Sequence, residues 1–101
     1  MVDIVRVKLI TVIAPVEFQD RLGQDILRLG AGGYTVSMVD GRGKSGLRAR
    51  GLFEISNMRM ETLVPAAKAD AILAQLAREA ETLDMVVFCQ DVDAIPRKRF
   101  V

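Results

Sequence analysis

The hydrophobic positions of this chain follow two different periods. Four segments are rich in β-branched or large apolar residues and are bounded by proline, glycine or polar positions, which predicts strands. In the first of them Arg6 and Lys8 share one alternation face. The four segments are residues 4–13, 34–39, 58–64 and 85–92.

Two further segments carry apolar residues at the spacing of a helix. Many alanines, with no glycine or proline, favour a long second helix over residues 66–83. Gly30 is expected to end the first helix as a C-terminal glycine cap. The stripe of this first helix consists of Phe18, Leu22, Ile26 and Leu29.

The predicted order is therefore βαββαβ. This order predicts an α+β fold of the ferredoxin-like type, a four-stranded antiparallel sheet with two helices on one face. A chain of 101 residues, half of them apolar, suffices for one core, so we expect a single domain over residues 1–101. The strands are apolar on both alternation sets, so the sheet face without helices needs a partner. A homo-oligomer that packs sheet against sheet is the economical solution, although this pattern does not fix the number of subunits.

Composition excludes several classes of function. The 14 basic and 13 acidic residues nearly cancel, so the general attraction to nucleic acid or to a membrane surface is missing. Histidine is absent and no acidic residue has an evident catalytic partner, so we expect no catalytic residues and no metal site. The lone Cys89 is expected in the core. No segment approaches the roughly 18 apolar residues of a membrane span, and no signal peptide is evident, which predicts a cytoplasmic protein.

The candidate chemistry lies in one loop and in the tail. Residues 41–55 combine glycines, which let backbone N–H groups wrap an anion, with arginines, whose forked donors match phosphate or carboxylate oxygens. The same composition also suits a merely flexible, soluble loop, and both interpretations stay open. Arg97 and Arg99 are two residues apart, so in an extended tail they would project to the same side and could grip one phosphate. A solvated basic tail is the alternative.

Taken together, several short motifs resemble the PII signalling family and its PII-like relatives over most of the chain. In PII proteins a Thr-Val strand leads into a Gly-x-Gly loop base, the T-loop, and the closing strand ends in an Arg-x-Arg pair. Both elements help to hold an adenine nucleotide between the subunits of a trimer. The motifs of this chain are Ala14-Pro15, Gly32-Gly33-Tyr34-Thr35-Val36, Val39-Asp40-Gly41-Arg42-Gly43-Lys44-Ser45-Gly46, Val64-Pro65, Asp91-Val92 and Arg97-Lys98-Arg99.

Carried over by position, the resemblance implies a homotrimer with a T-loop-like segment at about 41–56 and nucleotide-binding residues in three places. The nucleoside would lie beside Thr35, Val36 and Ser37. The phosphates would be lined by Gly41, Arg42 and Gly43. They would also be approached by Arg97 and Arg99. Arg48 and Arg50 are added as nucleotide-binding candidates because of the loop chemistry rather than the alignment.

Two departures from the PII pattern change the expected ligand. Residues 79–84, before the last strand, contain no glycine, whereas PII proteins cradle a triphosphate there. Ser45 stands near the position of a glutamine that helps to place magnesium and 2-oxoglutarate, and the only tyrosine, Tyr34, lies outside the loop. The chain therefore looks more like the divergent PII-like proteins linked to bicarbonate transport or carboxysomes, which sense AMP, ADP or cyclic AMP, some with bicarbonate.

These features predict a non-catalytic regulator with no obligatory cofactor. It would sense AMP or ADP, with cyclic AMP and bicarbonate as further candidate ligands. Its loop would signal to a regulated protein in inorganic-carbon metabolism, a transporter or a carboxysome-related partner. Two alternatives stay open. One is a ferredoxin-like interaction or assembly module without a small-molecule ligand, and the other is an acylphosphatase-like hydrolase, for which Asn57 lacks the expected loop context.

Overall fold

The computed structural model describes residues 2–40 and 56–101. All strand pairs are antiparallel, in the sheet order β2-β3-β1-β4. Both helices pack on one face of this sheet, so the ferredoxin-like α+β prediction is confirmed. In chain order the elements are β1 (Val5–Pro15), α1 (Gln19–Arg28), β2 (Thr35–Val39), β3 (Asn57–Val64), α2 (Ala66–Ala80) and β4 (Val86–Ala94), with 3-10 turns at Val16–Phe18 and Arg97–Arg99.

Two element boundaries differ from the predicted ones. β1 continues through Pro15, which still pairs with Asn57 on β3. A proline is tolerated at this point because it lacks only the N–H donor. The second helix ends at Ala80, before the predicted end at residue 83, because the next amides turn back onto the Glu79 carbonyl. The first helix ends as expected, before Gly30, whose φ of +111° is a conformation that glycine adopts without steric cost.

The hydrophobic core lies between the sheet and the helices. Its central side chains are at most 2% exposed. Burial of each such side chain contributes about 1.5–3 kcal/mol, which makes this contact layer the main source of stability. Cys89 is half-buried and packs against the same core. The central residues are Ile10, Val12, Met58 and Met60 from the sheet, and Leu22, Ile26, Ile72 and Leu76 from the helices.

A polar cluster joins α1 to α2. The Glu79 carboxylate is only 8% exposed, and its Oε2 lies 2.6 Å from Arg21 Nη2. Gln75 Nε2 donates to Glu79 Oε1 at 3.1 Å and to Asp25 Oδ2 at 3.4 Å. A buried carboxylate without such partners would be strongly unfavourable, so the cluster fixes how the two helices face each other.

The sheet face without helices, called the outer face below, is largely apolar along β1 and β4. The registers put Val7, Leu9 and Thr11 of β1 on this face. Large apolar side chains on it reach solvent, with Val86 61% and Phe88 38% exposed. Exposed apolar surface of this kind is typical of an association surface. The sequence-based expectation that the second face is apolar agrees with this arrangement.

Candidate ligand-binding site

A cavity of about 840 Å³ lies at the end of the sheet where β2 begins and β3 ends. Its polar wall includes Thr35, Glu61, Lys68 and Arg99, and its apolar wall includes Leu9, Leu63 and Phe100. Small-molecule sites typically enclose about 300–1,000 Å³ and combine an apolar lining with a few polar groups. The cavity therefore has the size and the lining of a site for a nucleotide-sized ligand.

The strand register brings the central lining residues together. Thr35, the first residue of β2, lies directly opposite Glu61 on β3. Leu63, two residues further along β3, lies opposite Leu9 on β1. Alternate residues of a strand share one face, so all four side chains belong to the outer face. A hydroxyl, a carboxylate and two leucines therefore line the cavity side by side.

Two hydrogen bonds hold the turn between α1 and β2 against the cavity. The buried Thr62 Oγ1 donates to the Gly33 carbonyl at 2.6 Å. Lys68 Nζ, from the first turn of α2, donates to the Gly30 carbonyl at 3.1 Å. Between these tethers the backbone is bare, because a Cβ added at Gly32 would meet nothing within 4 Å. A ligand in the cavity can thus approach the main chain of this turn closely.

The basic tail is not extended, in contrast to the assumption behind its expected function. Arg97–Arg99 form one 3-10 turn, in which the Arg99 amide donates to the Pro96 carbonyl. With three residues per turn, positions two apart do not project to the same side. Arg99 lines the cavity, whereas Arg97 Nη1 donates to the Ile4 carbonyl at 3.3 Å and lies 3.8 Å from Asp3 Oδ1. The argument that both arginines point the same way is therefore wrong.

The other expected site residues fall into three groups. Thr35, like Arg99, lines the cavity. Val36 packs against the core, and Ser37 lies exposed on β2 opposite Arg59, so neither is part of the cavity lining. The remaining five expected residues lie outside the described part of the chain. They are Gly41, Arg42, Gly43, Arg48 and Arg50.

Sequence reasoning missed two charged residues of the cavity, Glu61 and Lys68. Glu61 had the pattern of an exposed structural carboxylate, yet it faces Thr35 and its Oε2 lies 3.6 Å from Arg59 Nε. Only the strand register places it at the cavity, and alternation within one strand does not reveal that register. Lys68 had no signal beyond its position after Val64-Pro65.

Two negative findings bound the chemistry of this part of the chain. Within residues 2–40 and 56–101, no group of three or more potential metal-ligating side chains is gathered at one point. No helix among these residues is long and apolar enough to cross a membrane.

The fold and the cavity define a class of protein: a small ferredoxin-like α+β domain with a ligand-sized cavity at the end of its sheet. The family model of the nitrogen regulatory protein P-II matches residues 7–99, so the chain belongs to the P-II family. No curated protein sequence matches the chain significantly.

Solved structures agree with this membership. A protein described as PII-like signaling, from Thermus thermophilus, is 32% identical, with 98% of this chain and 99% of that chain covered and a TM-score of 0.82. CPII from Thiomonas intermedia K12, in a structure bound to ADP and bicarbonate, is 20% identical with both chains covered completely and a TM-score of 0.87. A DUF3240 family protein from Shewanella baltica is 18% identical, with 85% and 89% coverage and a TM-score of 0.66. The latter two show likeness of fold.

Proposed function

We propose that this P-II family chain is a non-catalytic regulator that senses an adenine nucleotide. AMP and ADP are the leading ligands, cyclic AMP is a further candidate, and bicarbonate is a second ligand. The observation that carries the proposal is that Thr35 and Arg99, far apart in sequence, line one cavity. The sequence had indicated these two residues independently, one for the nucleoside and one for the phosphates. The CPII structures, which share the fold, hold ADP and bicarbonate, and one of them also AMP.

The polar groups of the cavity suit the parts of such a ligand. The Glu61 carboxylate only accepts hydrogen bonds, so it matches the exocyclic amine of adenine, which only donates. Thr35 can donate and accept beside the base, and Leu9 and Leu63 offer apolar contact to its ring. Arg99 supplies the forked donors that phosphate oxygens prefer. A mono- or diphosphate is favoured over ATP because residues 79–84 lack the glycines of a triphosphate cradle.

The proposal extends to a homotrimer. The apolar outer face, with Val86 and Phe88 exposed, needs cover that a second and a third copy would provide. In PII proteins the nucleotide lies between subunits. The cavity of one chain would then be one wall of the site, and Gly41, Arg42 and Gly43 would line the phosphates, with Arg48 and Arg50 as further donors. Val36 and Ser37 would support the nucleoside side of the site through β2.

The signalling output of the proposed regulator is the segment at about 41–56, within one PII-like domain over residues 1–101. Nucleotide binding would order this T-loop-like segment and change which protein it can dock, an order–disorder switch. We propose a cytoplasmic setting and a regulated partner in inorganic-carbon metabolism, a transporter or a carboxysome-related protein.

Isothermal titration calorimetry tests the ligand proposal directly. The full chain is titrated with AMP, ADP, ATP and cyclic AMP, each with and without bicarbonate. We expect heat with AMP or ADP and a loss of affinity in Thr35→Val, with Ser37→Ala as the matched control on the same strand face. An absence of heat with all four nucleotides contradicts the proposal and favours the interaction module, in which the outer face only builds an oligomer. Native mass spectrometry reports the number of subunits separately.

A further inference from the structure

The carboxylate of the cavity is itself held by two residues of the outer face that no part of the site description uses. We infer that Arg59, seated on the ring of Phe88, is a positioning residue: it holds Glu61 where the carboxylate can accept a hydrogen bond from the amino group of an adenine base. This inference rests on the proposed function, because it deepens the recognition of the same ligand at the same site.

The geometry links three strands. Arg59 and Glu61 are two residues apart on β3 and share the outer face, and Arg59 Nε lies 3.6 Å from Glu61 Oε2. Arg59 Cζ also lies over the Phe88 ring of β4, 5.9 Å from its centroid. Because β1 lies between β3 and β4, the arginine spans the central strand. Thr11, which is opposite both Glu61 and Phe88 in register, is completely buried at this crossing.

Phe88 makes the ion pair more than an ordinary surface pair. An arginine and a glutamate that are each partly exposed gain little from each other, because fixing two long side chains costs conformational entropy and solvent screens their charges. A guanidinium over an aromatic ring is attracted to the ring face and loses part of that freedom beforehand. Arg59 is therefore pre-oriented toward Glu61, and the carboxylate has a partner on the side away from the ligand.

The lining of the cavity explains why Glu61 needs this partner. Leu9 and Leu63 lie beside it on the apolar wall, and an unpaired carboxylate next to such side chains is drawn toward water. If Arg59 were lost, Glu61 would turn out of the cavity, and the base would lose its acceptor. Arg59 thus controls which base is preferred, while the phosphate end of the site is left to Arg99.

A comparison of AMP with IMP isolates this contribution. IMP replaces the amine with a carbonyl oxygen, which a carboxylate repels, so the wild-type protein should bind AMP roughly tenfold or more tightly than IMP. In Arg59→Met the AMP affinity should fall and the AMP-to-IMP ratio should approach one. Arg59→Lys should restore part of the ratio, and Phe88→Leu should give an intermediate value. The isosteric Glu61→Gln should also abolish the preference, because an amide can donate as well as accept.

The experiment is titration calorimetry of AMP and IMP with these variants, together with thermal unfolding to confirm that each one is folded. Arg28→Met is the matched control, because it removes a partly exposed arginine that pairs with Asp25 on α1, away from the cavity lining. A merely structural Arg59 would weaken AMP and IMP equally, and an unchanged ratio in Arg59→Met overturns the inference. If Arg59→Met does not fold, Arg59→Lys and Phe88→Leu decide in the same way. Wild-type protein that binds both nucleotides equally refutes the inference but leaves nucleotide sensing intact, whereas no binding of either refutes both.

Discussion

The ring of Tyr34 lies directly against the backbone of Gly23 in α1. A Cβ built at position 23 would come within 2.6 Å of both Cζ and Oη of Tyr34. Tyr34 belongs to the turn that enters β2 and lines the cavity, while Gly23 is buried in the middle of the helix. The glycine is therefore the position where α1 accepts the cavity wall.

Gly23→Ala is expected to destabilise the protein, contrary to the usual effect of alanine in a helix. The helix itself would gain about 1 kcal/mol from alanine. The overpacked tyrosine ring would cost about 1–3 kcal/mol, and the displaced ring would also narrow the cavity. Urea denaturation should thus show a lower midpoint for Gly23→Ala, and AMP affinity should fall.

The Tyr34→Leu background provides the control for this substitution. Without the ring, Gly23→Ala should become neutral or stabilising, so the two substitutions should be clearly non-additive in a double-mutant cycle. The same loss of stability in both backgrounds would show that the contact with Tyr34 is not the cause.

The sequence pattern predicted the order of the elements because two periodicities carry it. The stripe that includes Leu22 and Ile26 does face the core, as its helical spacing indicated. Element ends were harder to predict. Whether Pro15 still belongs to β1 depends on its pairing with Asn57, which lies more than forty residues later.

The candidate site was predictable only in part, for a physical reason. Thr35 was accessible through its motif, since it stands at a fixed place between a glycine turn and a strand. Glu61 reaches the cavity only through the β2–β3 register, and Lys68 only through the way α2 packs beside the α1–β2 turn. The tail was misjudged because local bonds such as that from the Arg99 amide to the Pro96 carbonyl close a 3-10 turn. Such a turn has no periodic signature in three residues.

Two glycines of the cavity wall should respond oppositely to alanine. Gly30→Ala forces a φ of +111° on a residue with a Cβ and brings that atom to 2.9 Å from Lys68 Cδ, so we expect a loss of about 1–3 kcal/mol. Gly32 has neither a positive φ nor a close neighbour, so Gly32→Ala should be neutral or stabilise by about 0.4–1 kcal/mol. Chemical denaturation of both variants measures the difference. A comparable loss for the two would contradict the conformational argument.

The two arginines of the tail should differ in their effect on phosphate binding. Arg99 lines the cavity, whereas Arg97 contacts the segment before β1 through the Ile4 carbonyl. Arg99→Ala should weaken AMP by roughly 10- to 100-fold, the range of a charge-assisted hydrogen bond, and should leave adenosine nearly unchanged. Arg97→Ala should have the smaller effect on AMP. Titration calorimetry with AMP and adenosine distinguishes these outcomes, and equal losses for both ligands would mean that Arg99 supports the fold instead of the phosphate.

The cross-strand pair between β1 and β4 should make stability depend on pH only at the extremes. Lys8 Nζ lies 2.5 Å from Asp91 Oδ1, and this hydrogen bond raises the pKa of Lys8 above 10.5 and lowers the pKa of Asp91 below 3.8. The contribution of Asp91 is present above 3.8 and is lost as the pH falls through its lowered folded-state pKa. The contribution of Lys8 is present below 10.5 and is lost as the pH rises through its raised folded-state pKa.

A double-mutant cycle of Lys8→Met and Asp91→Asn, followed by thermal unfolding, measures this coupling. Both groups are solvent-exposed, so the coupling should be small at neutral pH and should weaken further in high salt. It should stay constant between 3.8 and 10.5, the ordinary pKa values of the two groups, because both remain charged in the folded and unfolded chain across that interval. In more acidic solution it should disappear once Asp91 is protonated in the folded protein as well. A coupling that persists in strong acid would show that packing, rather than charge, joins the two side chains.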